Sequence, residues 1–299
     1  DPNRVQQAWP AQVGNNTIVI VDDYIYTYNG VSQSENTGAG GTLYKLSKET
    51  GEIVSTLSLP VGTSYYYSYM IYGGGLLYIS CPDAAMAIDP DSFTLLWTAS
   101  VPMKMYCTVQ FVNNCVVING TVLNSTTGEK IATLTCQSGA EWSSGAEVDN
   151  RFYIASGKKL YSYDTATWVE TDVLTFDSTG AGAGLMHNAG WLYWADKSAG
   201  KLHAVQLDNG GFDDSTYVGI DCGYSTLGAP VVAGGRVYLA GYQQDGSANG
   251  TGYGAVCVFA AGKPSLLYTA KMDGTGHKVQ GTPILSVASS GGNVVAGLN

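Results

Sequence analysis

Short runs of β-forming residues recur along the chain, each entered through a tight polar turn. They are Tyr24–Tyr28, Leu76–Ser80, Cys115–Asn119, Arg151–Ala155, Trp191–Ala195, Arg236–Ala240 and Asn293–Gly297. The turns before them are Asp22-Asp23, Gly73-Gly74-Gly75, Asn113-Asn114, Asp149-Asn150, Ala189-Gly190, Gly234-Gly235 and Gly291-Gly292. Gly, Asn and Asp tolerate the positive φ of a two-residue hairpin, so each turn predicts a pair of antiparallel strands. The run centres advance by about 45 residues, the length of one four-stranded repeat.

A sheet of that size cannot bury its faces alone, and neighbouring copies must cover them. The chain therefore reads as an all-β, seven-bladed β-propeller of four-stranded antiparallel blades, one domain over residues 1–299. The repeats are placed at 17–59, 66–100, 108–136, 144–176, 184–220, 229–271 and from 280 onward. Within them, Ser215–Ile220 is read as the fourth strand of the fifth repeat and Ala229–Ala233 as the first of the sixth. The last blade begins at Gln280–Ser289, continues through Asn293–Gly297 and has no third strand. It is either incomplete or closed by an N-terminal strand, Val5–Trp9. The chain opens with Asp1-Pro2-Asn3, which reads as a mature or excised product.

Composition narrows the partners. The 39 Gly and 21 Tyr of this 299-residue chain suit tight turns and half-buried aromatic strands. A formal charge of −10 without Lys/Arg clusters argues against nucleic acid and anionic membrane surfaces. No apolar run approaches the ~20 residues that span a bilayer, so no membrane insertion is expected. Six cysteines form no CxxC pair and no zinc spacing. Pairing of residue 112 with 115 sets Cys107 opposite residue 120, so these cysteines read as small buried hydrophobes. The sequons at Asn15, Asn119, Asn124 and Asn249 carry no weight by themselves.

The third strand and following turn of the first repeat read Leu43-Tyr44-Lys45-Leu46-Ser47-Lys48-Glu49-Thr50-Gly51-Glu52. Weaker copies run Met86–Pro90, Val122–Glu129, Leu160–Asp164 and Leu202–Leu207. These resemble the repeats of quinoprotein-like (PQQ-like) β-propellers. Ser225–Val232 with Gly235-Arg236-Val237-Tyr238 is similar to the Tyr- and Gly-rich propellers of secreted or surface-attached proteins of gut Gram-positive bacteria. That resemblance implies an extracellular or cell-surface module serving adhesion or ligand binding. A second resemblance, to the outer-membrane assembly lipoprotein, implies a scaffold that binds a partner protein without chemistry. Quinoprotein dehydrogenases of this group have a longer eight-bladed ring, a vicinal cysteine pair and a calcium site. This sequence has no adjacent cysteines, so no cofactor is expected.

Motifs for chemistry are absent: no G-x-S-x-G elbow, no H-E-x-x-H and no P-loop. His187, His203 and His277 are assigned to different repeats and read as structural, and no metal is expected. Asp208–Asp214 lacks the terminal Glu and spacing of a calcium loop. The stronger signal is geometric. The fourth-to-first and second-to-third connections should open on one face, where the loops Asn29–Gly41 and Gln243–Tyr253 are long. Connections on that face carry Tyr65, Tyr66, Tyr67, Tyr106, Glu141, Trp142, Tyr224 and His277. Aromatics on such loops make stacking platforms with polar handles for a glycan, peptide or protein surface. They equally serve as plugs between blades. The expected function is a non-catalytic, monomeric binding module; an enzyme (a lyase or glycan-active hydrolase) or a structural spacer are the alternatives.

Overall fold

The computed structural model describes residues 17–29, 41–60, 69–81, 84–102, 108–136, 144–177, 182–196, 200–224, 226–244, 251–271, 279–280, 286–290 and 293–297. These hold β-strands, turns and a 3-10 turn at residues 135–136. The chain divides into two compact units, Asp1–Thr133 and Leu134–Asn299.

The first unit contains three antiparallel meanders. Blade 1 is β1 (Ile18–Val21), β2 (Tyr24–Asn29), β3 (Thr42–Ser47) and β4 (Ile53–Ser58). Blade 2 is β5 (Tyr69–Gly73), β6 (Leu76–Cys81), β7 (Ala84–Asp89) and β8 (Thr94–Ser100). Blade 3 is β9 (Val109–Val112), β10 (Cys115–Ile118), β11 (Thr121–Asn124) and β12 (Lys130–Thr133).

The second unit continues the pattern. Blade 4 is β13 (Ala146–Val148), β14 (Arg151–Ser156), β15 (Lys159–Asp164) and β16 (Glu170–Thr175). Blade 5 is β17 (Gly182–Asn188), β18 (Trp191–Asp196), β19 (Lys201–Asp208) and β20 (Gly211–Asp221). The sixth sheet has six strands: β21 (Thr226–Leu227), β22 (Val231–Ala233), β23 (Arg236–Gln244), β24 (Thr251–Ala260), β25 (Leu266–Lys271) and β26 (Val279–Gln280). Among the described residues the seventh is the pair β27 (Ser286–Ser290) and β28 (Asn293–Gly297).

Three boundaries differ from the sequence expectation. Val279–Gln280 does not start the seventh blade; it pairs with Thr251–Gly252 of β24. Asn209 and Gly210 take φ of 47° and 83°, which makes a two-residue hairpin turn, and β20 therefore starts at Gly211. His187 and His203 belong to one sheet, on β17 and β19, and not to different repeats.

The first-to-second turns explain why these runs pair as they do. Asn113 and Asn114 have φ of 42° and 58°, and Asp149 and Asn150 have 49° and 60°. Such turns match the right-handed twist of the strands they join. They set Cys115 opposite Val112, as the sequence predicts.

Burial separates the strands by position. The second strands β6, β14 and β18 are buried at every residue after the first, whereas β8 alternates, with Thr94, Leu96, Thr98 and Ser100 exposed. A strand covered on both faces needs an unbroken apolar run, and an edge strand needs only half of one. Between the third and fourth strands of blades 1 to 6 the register shifts once, as at Lys45/Leu46, Ser162/Tyr163 and Val258/Phe259. A bulge repeated at this place steepens the twist of each outer edge.

Neighbouring blades inside each unit are joined by a repeated contact. The third residue of the second-strand run is a tyrosine in most blades, and it reaches the third-to-fourth turn of the next blade. Tyr26 donates its hydroxyl to Pro90 O at 3.3 Å, and Tyr78 donates to Ser125 O at 3.4 Å. Tyr193 donates to Gly262 O at 3.1 Å and accepts from Gly262 N–H at 2.7 Å. Tyr153 acts through Ser162, whose hydroxyl donates to Gly210 O at 3.1 Å. Burial holds these phenols in the protonated, donating form; Tyr26 is pushed up to about 12. Lys45 adds to the first joint: its Nζ donates to Pro90 O at 2.9 Å and lies 4.1 Å from the Tyr24 ring centroid. Trp97 adds to the second, donating to Ser125 O at 3.0 Å. In blade 3 the position is Val117, which has no hydroxyl; blade 3 is also the last blade of the first unit.

Candidate functional site

In an antiparallel meander the second-to-third turn and the end of the fourth strand leave the sheet at the same end. This is the end on which the sequence places the aromatic connections. Tyr65, Tyr66, Tyr67, Tyr106, Glu141, Trp142 and His277 lie outside the described residues, as do residues 30–40 and 245–250 of the two long loops. The flanks of the second loop are strands: β23 and β24 pair out to Gln244 and Gly252, and β26 extends the same ribbon. That wall is built on hydrogen-bonded backbone nearly to its tip.

Tyr224 is the one predicted site residue that is described. It follows β20 and is 9% exposed, in a cluster with Tyr193, Leu202, Cys222 and Leu239. The chain passes so close that a Cβ on Gly200 would stand 2.0 Å from Tyr224 O. Tyr224 thus fills space between blades 5 and 6, the plugging role open to these aromatics.

Blade 5 holds at this end a polar cluster that sequence reasoning did not assemble. Asp196 closes β18, His203 lies on β19 and Tyr217 on β20; Asp196 and His203 are both fully buried. His203 Nδ1 and Tyr217 Oη are hydrogen-bonded at 2.9 Å. His203 Nε2 stands 4.0 Å from Asp196 Oδ2, beyond hydrogen-bond reach. The imidazole is packed among rings: 5.3 Å from Trp194, 5.9 Å from Tyr217 and 5.0 Å from Phe176, centroid to centroid. Gly219, opposite His203, leaves the space, since a Cβ there would be 3.2 Å from both Nδ1 and the Tyr217 oxygen. Outside it, Lys201 Nζ pairs with Asp177 Oδ2 at 2.8 Å.

Burial decides the charge state. It pushes His203 down to about 4, outweighing the attraction of Asp196. The imidazole is neutral at physiological pH, and its Nε2 and the Trp194 Nε1 have no hydrogen-bond partner. Asp196 and His203 are sealed from solvent, and only the half-buried Tyr217 reaches toward the surface. The cluster's sequence signal was cross-strand: His203 is opposite Trp194 on one side and Gly219 on the other.

Other candidates resolve structurally. His187 Nε2 accepts from Gly190 N–H at 3.2 Å, tying its own turn. Asp208–Asp214 is the β19–β20 hairpin, with Asp213 Oδ1 accepting from Ser215 N–H and Oγ. Asn119 is buried at the β10–β11 turn and donates to Pro102 O at 2.9 Å, while Asn124 Oδ1 caps the turn at Thr126 and Thr127. Among the described residues, no group of three or more His, Cys, Asp or Glu side chains gathers to hold a metal, and no helix is long and apolar enough to cross a membrane.

Repeated four-stranded meanders with turns docked from blade to blade define a β-propeller fold. The crystal structure of BamB from Moraxella catarrhalis is similar over 97% of this chain and 82% of its own, with 16% identity and a TM-score of 0.67. The computationally designed Ika8 protein matches over 98% and 97%, with 14% identity and a TM-score of 0.58. A europium-containing methanol dehydrogenase matches over 90% and 73%, with 10% identity and a TM-score of 0.59. At these identities the likeness establishes the fold alone. No protein-family model matches the sequence, and no curated protein does.

Proposed function

We propose that the chain is a single, non-catalytic propeller domain that recognises a protein, peptide or glycan through its loop-rich end, in an extracellular or cell-surface setting and as a monomer. What supports this reading is the sequence position of aromatic residues in the connections before β5, β9 and β13, which meet each sheet at the end from which its second-to-third turn leaves. The fold shared with BamB supports it, as does the full burial of Asp196 and His203. Binding through rigid aromatics costs little side-chain entropy. The test pairs Tyr66→Ala with Trp142→Ala and screens both proteins against a glycan array and a panel of extracellular proteins. The reading expects at least a tenfold loss of binding with an unchanged melting curve. Undiminished binding by the folded double variant would overturn it.

A further inference from the structure

Five of the six cysteines are described, and all five are buried thiols. Two of them meet across neighbouring blades. Cys222 follows β20, held by its N–H on Gly200 O at 2.8 Å. Cys257 lies in β24, opposite Leu239 and Thr269. Cys257 Sγ donates to Cys222 O at 3.8 Å, and the Thr269 hydroxyl donates to the same sulfur at 3.8 Å. Cys222 Sγ donates to Ile220 O at 3.5 Å, and each thiol shifts the proton affinity of the other. Both cysteines belong to one buried cluster, with Tyr193, Leu202 and Leu239 around them. Cys136, by contrast, faces the Tyr163 hydroxyl.

The pair is chemically unequal. In the folded, reduced protein Cys257 is shifted toward the thiolate by its neighbour, while Cys222 is held protonated by Cys257 and by burial.

We propose that Cys222 and Cys257 are a redox pair that closes to a disulfide between blades 5 and 6 when the chain folds in an oxidising medium. The oxidant is a small disulfide of the glutathione class. The thiolate of one cysteine attacks one of its sulfurs and one small thiol leaves; the thiolate of the other then displaces the second. One S–S bond forms as one breaks, and the two protons from the cysteines end on the two released thiols. Cys257 is fully buried and Cys222 is 6% exposed, so exchange runs before the core closes and is slow in the folded reduced protein.

Reduced, unfolded full-length chain is refolded in a reduced/oxidised glutathione buffer, acid-quenched, alkylated and peptide-mapped without reduction. The expected product joins the Cys222 and Cys257 peptides and is two hydrogen atoms lighter than the thiol form. Its melting temperature should fall on adding reductant, a fall absent from Cys257→Ser. Folded protein with both thiols alkylated, or with either linked to a different cysteine, overturns the proposal. The peptide map of the unmodified chain decides the matter even where the serine variant fails to fold.

Discussion

Single side chains set the joints between blades, and their neighbourhoods predict unequal costs. Tyr193→Phe strips a bond from both the N–H and C=O of Gly262 and should cost about 1–3 kcal/mol in a urea titration. Tyr78→Phe should cost visibly less, because Trp97 still donates to Ser125 O. Gly200 has φ of 64° and no room for a Cβ, so Gly200→Ala should lose more than about 2 kcal/mol. Tyr224→Ala should act on stability, by about 3–5 kcal/mol as for a large buried ring, rather than on binding alone.

The same scale gives a pH dependence. His203 has a folded-state value of about 4 against 6.5 for the free side chain. Between these values the unfolded chain binds the proton and the folded one does not. Stability from this group is thus complete above pH 6.5 and drains away as pH falls toward 4, by an amount on the order of 3 kcal/mol. His187, lowered by its own burial, adds in the same direction. Urea midpoints measured across this window should rise with pH, and His203→Gln should flatten the rise.

Elements differ in how many partners they have. Among the described residues β28 pairs only with β27, and a lone two-stranded sheet is marginal. Amides of Ser286–Gly297 should exchange with deuterium well ahead of those in β18 and β19, each of which lies inside a four-stranded sheet. The same contrast explains what could be read from sequence. Second strands announced themselves because burial on both faces demands runs such as Trp191–Ala195, and Asn-Asn or Gly-Gly turns fix their start. The β19–β20 hairpin was missed because Asp213-Asp214 mimics a loop, while β26 was missed because a two-residue strand has no periodicity to display. The His203 cluster was invisible for another reason: its members meet only through cross-strand register, and Gly219, which makes room for them, has no side chain to signal it.

For the whole molecule, repetition carried the fold. A spacing of about 45 residues and seven similar turns exceed what chance supplies, and they needed no exact strand ends. Function carried no such redundancy, since all eight predicted site residues lie in connections whose sequences do not repeat. The formal charge of −10 gives the molecule-scale prediction: no retardation of duplex DNA at low salt, and binding to a basic protein surface that weakens as salt rises.

The tyrosine joints have a direction. Blades 1, 2, 4 and 5 each extend a phenol forward and the blade after each offers its turn backward, like links that accept a hook on one side only. A blade transplanted into the array must therefore bring both halves of the fastening. Excising one from the interior strands a buried phenol upstream and only a readily hydrated carbonyl downstream. Damage should accordingly spread toward the N-terminal neighbour, and the order of blades cannot be reversed without losing every clasp.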